Sequence, residues 1–283
     1  MKIAKSWKDY VVIATGDGEK LEKWGKYTLL RPDPQVIWHA KDNLSNFKGL
    51  DAHYVRSSSG GGGWKFLNRV PEEWNISWNN IKFIIKPMGF KHTGLFPEQA
   101  VNWEDMTKLI SEAGRPIKIL NLFAYTGGAS VVCAKAGGIV THVDASKGMV
   151  ERAKENAILN GITNIRYIID DCEKFINREI RRGNRYDAII MDPPSYGRGT
   201  NGEMWKLEDN LFDFVELTKK VLSDNPLFVL ISSYTTGLQA SVLSNILSLV
   251  FGEGNIDADE IGLPTMEKIV LPCGARGMKI WKN

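Results

Sequence analysis

Short apolar runs alternate with amphipathic segments over the last two-thirds of this 283-residue chain. The longest amphipathic segment covers residues 203–222, and the runs cover residues 117–122, 139–143, 165–169, 188–191, 227–232, 256–263 and 268–271. Strands that alternate with helices are joined by crossover connections, which build a parallel sheet with helices on both faces. The pattern therefore predicts a Rossmann-like α/β fold with a seven-stranded sheet over residues 96–283.

The first hundred residues have a different texture. They hold most of the nine tryptophans, and turn-forming residues separate short strand-like runs at 10–15, 27–30, 36–38 and 81–86. We predict a small β-rich domain over residues 1–95, a candidate substrate-binding region. Its tryptophans either form the core of this domain or stack on bases, and the sequence leaves both readings open.

Composition excludes several classes of protein. The three cysteines are far apart without a CxxC pair, and the four histidines have no metal-ligand spacing, so we expect neither a disulfide framework nor a metal site. No apolar run approaches the roughly 20 residues of a membrane span. We therefore expect a cytoplasmic protein away from the membrane. The net charge of +3 is compatible with an anionic partner without requiring one.

The segment that joins the first strand of the α/β region to its first helix reads Asn121-Leu122-Phe123-Ala124-Tyr125-Thr126-Gly127-Gly128. Glycine allows the backbone to approach a ligand closely, and a helix N-terminus offers free N–H groups. In open α/β sheets, ligands bind beyond the carboxyl ends of the strands. A tight turn without a ligand is the alternative interpretation.

Acidic residues follow the next two strands. Asp144 ends the second strand, where a carboxylate can accept hydrogen bonds from a ribose diol. Asp171, or alternatively Asp170, follows the third strand, with Phe175 as an apolar helix anchor. Each aspartate could instead cap a helix. Three such features in register favour a nucleotide-like ligand.

The sequence Asp192-Pro193-Pro194-Ser195-Tyr196 comes directly after the fourth strand. Two prolines hold the chain extended and withhold two N–H donors, which leaves carbonyl groups as acceptors. This arrangement suits a planar nucleophile that carries an amine, with Tyr196 available for stacking. A purely structural Pro-Pro turn is the alternative.

From about Lys91 onward, including the segment His92 to Gln99, these motifs resemble the class I S-adenosylmethionine-dependent methyltransferases, and most closely a bacterial group of ribosomal RNA methyltransferases. The resemblance implies S-adenosyl-L-methionine as cofactor. It implies that Phe123, Ala124, Tyr125, Thr126 and Gly127 line the methionine and ribose, that Asp144, Ala145 and Ser146 hold the ribose, that Asp171 and Cys172 contact the adenine, and that Asp192, Phe96 and Gln99 complete the cofactor site. The implied catalytic residues are Asp192, Pro193, Pro194 and Tyr196.

The chain departs from the cytosine-C5 members of that group in two respects. Those members carry a PUA-type domain and a cysteine nucleophile after the fifth strand, whereas this chain has Ser232-Ser233-Tyr234 there. Methylation at a pyrimidine C5 requires a covalent thiolate adduct. We therefore favour transfer to nitrogen or oxygen, with Asp192 and the Pro193 carbonyl orienting the attacking atom.

We expect methylation of a nucleobase in RNA, most plausibly ribosomal RNA, and therefore an RNA partner. The alternatives are a small molecule, a protein side chain, or a cofactor-binding module without catalysis. Arg178, Arg181, Arg182 and Arg185 form a basic cluster that either contacts phosphate or complements a helix C-terminus. The sequence does not indicate the oligomeric state.

Overall fold

The computed structural model describes residues 1–57, 61–198, 204–235 and 237–281. The chain divides into two compact units. The N-terminal unit comprises residues 2–101 and 262–273, and the α/β unit comprises residue 1, residues 102–261 and residues 274–283. The predicted domain boundary between residues 95 and 96 stays a prediction.

The N-terminal unit is built mainly from β-strands. A five-stranded sheet has the order β2-β3-β4-β5-β6, and β7 and β8 form a separate hairpin. The strands are β1 (Lys2–Ile3), β2 (Tyr10–Gly16), β3 (Glu19–Trp24), β4 (Tyr27–Pro32), β5 (Ala52–Arg56), β6 (Gly62–Phe66), β7 (Trp74–Trp78) and β8 (Ile81–Ile85). Short 3-10 turns cover Leu44–Asn46 and Pro97–Gln99.

Most of the strands predicted for this unit are present, but residues 36–38 form no strand. The Val36 N–H instead donates to Asp33 O, and the carbonyl groups of Val36 and Trp38 accept from the Gly18 and Asp17 N–H groups. Trp24 and Trp78 are buried, and Leu21, Leu29 and Phe83 fill the core beside them. These two tryptophans therefore serve packing. Trp64 is only partly buried.

The α/β unit alternates helices and strands as predicted. Its helices are α1 (Ala100–Glu112), α2 (Gly128–Lys135), α3 (Lys147–Leu159), α4 (Cys172–Arg182), α5 (Leu207–Lys219) and α6 (Ala240–Phe251). Its strands are β9 (Lys118–Leu122), β10 (Ile139–Asp144), β11 (Arg166–Ile169), β12 (Ala188–Met191), β13 (Tyr196–Arg198), β14 (Met204–Lys206), β15 (Phe228–Ser233), β16 (Ile256–Pro264) and β17 (Val270–Ile280). The first residues of α1 and parts of β16 and β17 belong to the N-terminal unit.

The main sheet has the order β16-β17-β15-β12-β9-β10-β11, with the two-residue β1 beyond β16. Strands β9, β10, β11, β12 and β15 are parallel, and β17 is antiparallel to β15. Because β9 pairs with β10 on one side and with β12 on the other, the order reverses at β9, and a crevice for a ligand opens at such a point. The predicted Rossmann-like fold and the β-rich N-terminal region are confirmed.

Two predicted elements need correction. The helix predicted over residues 203–222 is shorter, because Met204–Lys206 pairs with Tyr196–Arg198 as a two-stranded hairpin before α5 begins; residue 203 lies outside the described residues. The last strand extends over Val270–Ile280 rather than 268–271, because its backbone continues to pair with β15.

Candidate functional site

The loop after β9 has an unusual backbone. Phe123 and Tyr125 have φ angles of 54° and 50°, in the left-handed region that non-glycine residues rarely adopt. The Phe123 N–H donates to the Cys172 sulfur over 3.3 Å, and the Ala124 N–H donates to Val143 O over 3.1 Å. Neighbouring strand ends thus hold the loop in a strained conformation, as is common at ligand sites.

Asp144 ties this loop to the end of β10. Its Oδ2 accepts the Tyr125 N–H over 2.8 Å, and its Oδ1 accepts the Ser146 N–H over 2.8 Å. The carboxylate is partly buried, while Ala145 and Ser146 are exposed. Each carboxylate oxygen has a second lone pair. Asp144 can therefore orient the loop and still accept hydrogen bonds from a ligand.

Gly127 allows the loop to lie close to α3. Its φ is 80°, and a Cβ at this position would lie 2.8 Å from the Ala153 Cβ. The Asn156 Nδ2 donates to Thr126 O over 2.9 Å from the same helix. Glycine is thus required at 127 both for its conformation and for the close approach.

A chain of hydrogen bonds between buried side chains connects the elements on either side of this loop. The Asn121 Nδ2 donates to the Ser130 Oγ over 2.9 Å, and that oxygen lies 2.9 Å from the His142 Nδ1. Burial lowers the pKa of His142 to about 3, so the ring stays neutral at physiological pH. These hydrogen bonds link β9, β10 and α2. They could not be predicted from the sequence, because nothing in the pattern distinguishes these residues from other strand and helix positions.

The aspartate pair after β11 is engaged locally. The Asp171 Oδ1 accepts the Lys174 N–H over 2.9 Å and caps α4. Asp170 forms an ion pair with Arg178, and its Oδ1 accepts the Asp171 N–H. Cys172 is buried, and burial raises the pKa of its thiol. The helix-cap interpretation of Asp171 is therefore observed, and its contact with a cofactor stays a prediction.

The Asp192-Pro193-Pro194 segment lies next to the loop after β9, because Met191 of β12 is paired with Leu122 of β9. Burial raises the pKa of Asp192 to about 6 from an ordinary value of 3.8. Pro193 is buried and Pro194 is exposed. A carboxylate that titrates near neutrality in a crevice is a candidate functional group.

Trp205 contacts both the Asp192-Pro193-Pro194 segment and the loop after β9, a role that the sequence pattern did not predict. Its Nε1 donates to Pro194 O over 2.6 Å, and its ring centroid lies 5.5 Å from that of Phe123 and 5.5 Å from that of Phe214. The sequence pattern predicted a helix from residue 203, whereas Trp205 lies in strand β14. The Asn201-Gly202 dipeptide, a strong hairpin signal in sequence, could have revealed it.

Tyr196 begins the hairpin with 55% of its surface exposed, and its hydroxyl donates to the Met204 sulfur over 3.1 Å. The Ser195 Oγ lies 2.6 Å from the Thr235 Oγ1, which connects the segment to the residues after β15. The exposed Tyr196 ring is thus available beside the Asp192-Pro193-Pro194 segment.

The three cysteines are buried, and burial raises the pKa of each thiol. Strand β15 ends in Ser232 and Ser233, whose hydroxyls accept hydrogen bonds from the Asn102 Nδ2 and the Thr235 N–H. At the end of β15, where a thiolate nucleophile was expected for C5 chemistry, the chain presents hydroxyl groups.

Two further groups of predicted residues are the pair Phe96 and Gln99 and the basic cluster, which begins on α4. Phe96 and Gln99 belong to the N-terminal unit, where Phe96 precedes the Pro97–Gln99 turn; their cofactor role stays a prediction. In the basic cluster, Arg178 pairs with Asp170, Arg182 pairs with Glu179, and the Arg185 guanidinium donates to Asn184 O. These contacts fit the helix-terminus interpretation of the cluster.

Within the described ranges, no set of three or more His, Cys, Asp or Glu side chains is grouped as a metal site would require. A search of the same ranges finds no helix with the length and apolar character of a membrane span.

A family model for S-adenosylmethionine-dependent methyltransferases matches residues 19–210. The chain is 25% identical over 272 residues to the ribosomal RNA large subunit methyltransferase K of Neisseria meningitidis, covering 91% of this chain and 74% of that protein. It is 34% identical over 148 residues to the methyltransferase K/L of Shewanella frigidimarina, but it spans only 20% of that protein. The crystal structure of a methyltransferase from Agrobacterium tumefaciens has a TM-score of 0.91 at 35% identity, with 98% of this chain and 91% of that one covered.

Proposed function

Because this chain belongs to the family of S-adenosylmethionine-dependent methyltransferases, we propose that it transfers a methyl group to a nucleobase in RNA, with ribosomal RNA as the preferred class. The observation that carries the proposal is the place of Asp192, a partly buried carboxylate directly beside the strained loop after β9. Both relatives are named as ribosomal RNA methyltransferases, which supports RNA as the substrate, and such a substrate favours a cytoplasmic site of action.

The residues at the loop fit the cofactor. The Asp144 carboxylate can accept hydrogen bonds from ribose hydroxyls while it holds the Tyr125 and Ser146 N–H groups. Gly127 leaves the space above α3 free of a Cβ, at the N-terminus of α2. We assign the methionine and ribose portion to Phe123 through Gly127, and the adenine to Asp171 and Cys172 rather than to Asp170, which Arg178 already engages.

S-adenosylmethionine supplies an electrophilic methyl group on a sulfonium. The chain has to orient the acceptor in line with that group and to exclude water, which alone accounts for much of the catalysis of a displacement. Ionised Asp192 and the Pro193 carbonyl accept hydrogen bonds from an exocyclic amine of the base, and the exposed face of Tyr196 stacks on its ring. A base in this position has to be unpaired or extruded from a helix.

Nitrogen is the preferred acceptor atom. An amine can lose its proton after transfer, so no general base is required, whereas C5 methylation requires a thiolate adduct. Each cysteine is buried with a raised thiol pKa, and β15 ends in serines. The arrangement therefore supports an N-methylated base as the product.

The proposal is tested by incubating the protein with S-adenosylmethionine labelled in the methyl group and with RNA, protein or metabolite fractions of a bacterial lysate. We expect label in ribosomal RNA that nuclease digestion releases as an N-methylated nucleoside, and loss of transfer in Asp192→Asn with the cofactor Kd retained. Label in protein or metabolites alone, or in 5-methylcytosine, would overturn the proposed acceptor.

A further inference from the structure

The β5–β6 hairpin of the N-terminal unit has an open aromatic face. Strand β6 is the edge strand of the five-stranded sheet. Trp64 lies opposite Tyr54, and Phe66 lies opposite Ala52, so all four side chains share one face. Tyr54 and Ala52 are buried, whereas Phe66 is 53% exposed. The exposed fraction of the aromatic side chains on this face therefore increases from Tyr54 through Trp64 to Phe66.

Two of the rings on this face are stacked. The centroids of Trp64 and Phe66 are 6.5 Å apart with an interplanar angle of 26°, and Tyr54 meets Trp64 edge-on at 5.5 Å. The Trp64 Nε1 donates to Met88 O over 2.8 Å, which fixes the indole and brings the segment that contains Phe90 alongside. Phe90 is itself 44% exposed. Exposed rings beside an indole that is held in place offer π-faces on which a base can stack.

A cation borders the same face. Arg56 lies opposite Gly62 on the Trp64 side of the hairpin, and it is exposed. In the part of the chain that the structure describes, Arg56 has no carboxylate partner. An unpaired guanidinium beside stacked rings complements a phosphate group.

We propose that Arg56, Trp64, Phe66 and Phe90 form a binding surface for unpaired RNA, with bases on the rings and a phosphate on the Arg56 guanidinium. This inference rests on the proposed function for its choice of RNA. It gives the N-terminal unit a part in substrate binding that is separate from the chemistry at Asp192. Aromatic residues on an open sheet face bind single strands because each base offers a π-face, whatever the sequence.

The test measures binding of a fluorescein-labelled, single-stranded oligouridine of about 12 nucleotides to the full chain without cofactor, by fluorescence anisotropy. We expect Phe66→Ala to weaken binding on the order of tenfold. Arg56→Gln should reduce the slope of log K against log salt by about 0.7. The matched controls are Phe47→Ala and Lys48→Gln, which remove an exposed ring and an exposed cation elsewhere in the same unit; both should bind like the wild type.

Equal losses in the controls, no oligouridine binding by the wild type, or equally tight binding of duplex RNA would overturn the surface. So would sedimentation data in which Phe66→Ala abolishes self-association, because the face would then bind a second copy. Methylation of ribosomal RNA at the same rate and KM in Phe66→Ala would reject the surface and keep the proposed function. Oligouridine binding that depends on Phe66, without RNA methylation, would keep the surface and reject the proposed function.

Discussion

Phe123 and Tyr125 adopt left-handed backbone conformations that cost on the order of 1–2 kcal/mol each. Contacts from β10, from Cys172 and from Asp144 hold them there. At the scale of single residues, contacts from neighbouring elements therefore fix the backbone of the loop. We expect substitution to be least tolerated at Gly127, where a Cβ would collide with Ala153.

Gly127→Ala should raise the Kd for S-adenosylmethionine by on the order of tenfold or more and lower the free energy of unfolding by about 1–3 kcal/mol. The added Cβ meets Ala153 and also disfavours a φ of 80°. Calorimetric titration and chemical denaturation measure the two effects. Gly183→Ala is the control, because φ is 70° there but nothing lies within 4 Å of the new Cβ; it should lose stability alone. Equal cofactor affinity in both variants would show that the close approach is irrelevant.

Asp192 should make activity depend on pH. Burial raises its pKa to about 6, and the carboxylate must be ionised to accept hydrogen bonds from an amine. We therefore expect kcat/KM to rise with pH through about 6 and to level off above it. Asp192→Asn should lose this limb and lower kcat on the order of a hundredfold.

The same raised pKa has the opposite effect on stability. Because the folded pKa exceeds the ordinary value of 3.8, the charged form is disfavoured in the folded state, and stability contributed by Asp192 falls as pH rises from about 4 to about 6. Asp192→Asn should therefore be more stable than the wild type at pH 8 but not at pH 3, as measured by denaturant unfolding. A variant that is less stable at pH 8 would contradict the assigned burial.

At the scale of elements, the β13–β14 hairpin connects the Asp192-Pro193-Pro194 segment to the loop after β9 through Trp205. Trp205→Phe retains a ring against Phe123 and Phe214 but removes the donor to Pro194 O. We expect kcat to fall about tenfold, the scale of one lost hydrogen bond, with an unchanged Kd for S-adenosylmethionine. Steady-state kinetics and calorimetry separate the two.

The matched control for this prediction is Trp281→Phe, since Trp281 also packs edge-on against a phenylalanine, Phe251, at the other end of the sheet. It should leave both kinetic constants unchanged. Trp205→Leu, which also removes the ring, should in addition weaken cofactor binding. If all three variants behave alike, Trp205 does not position the Asp192-Pro193-Pro194 segment.

The elements also show which features the sequence could reveal. Short apolar runs such as Ala188–Met191 predicted strands correctly, and Gly127 marked the loop, because burial and positive φ leave local signatures. The hairpin at Met204–Lys206 was missed because its strand forms through pairing with Tyr196–Arg198, a tertiary contact. The exposure of Phe66 depends on strand register, which no local pattern specifies.

For the molecule as a whole, we expect a cofactor bound at the carboxyl ends of β9 and β10 to stabilise the folded state. A cofactor at a hundred times its Kd adds about 2.7 kcal/mol to the free energy of unfolding. Asp144→Asn should abolish most of this increment, because an NH2 donor replaces one of the two oxygens and can accept neither a backbone N–H nor a ribose hydroxyl. Thermal unfolding with and without S-adenosylmethionine measures the effect.

Asp187→Asn is the control for that prediction. The Asp187 Oδ2 accepts the Lys118 N–H over 2.8 Å at the start of β9, whereas Asp144 accepts an N–H of the loop that follows β9. The same chemical change is thus made beside the opposite end of β9. Asp187→Asn should lower the baseline stability and preserve the increment. Loss of the increment in both variants would mean that the cofactor does not bind at the end of β10.

The N-terminal unit takes its last segment, residues 262–273, from far along the chain. Within that segment the Met266 N–H donates to Val12 O, and a Glu267 oxygen accepts the Thr15 N–H, so β2 gains these partners late. During synthesis on the ribosome, residues 2–101 emerge long before these partners exist. The unit named for the start of the chain is therefore complete only when residue 273 has been made, after residues 102–261 of the α/β unit have already been translated.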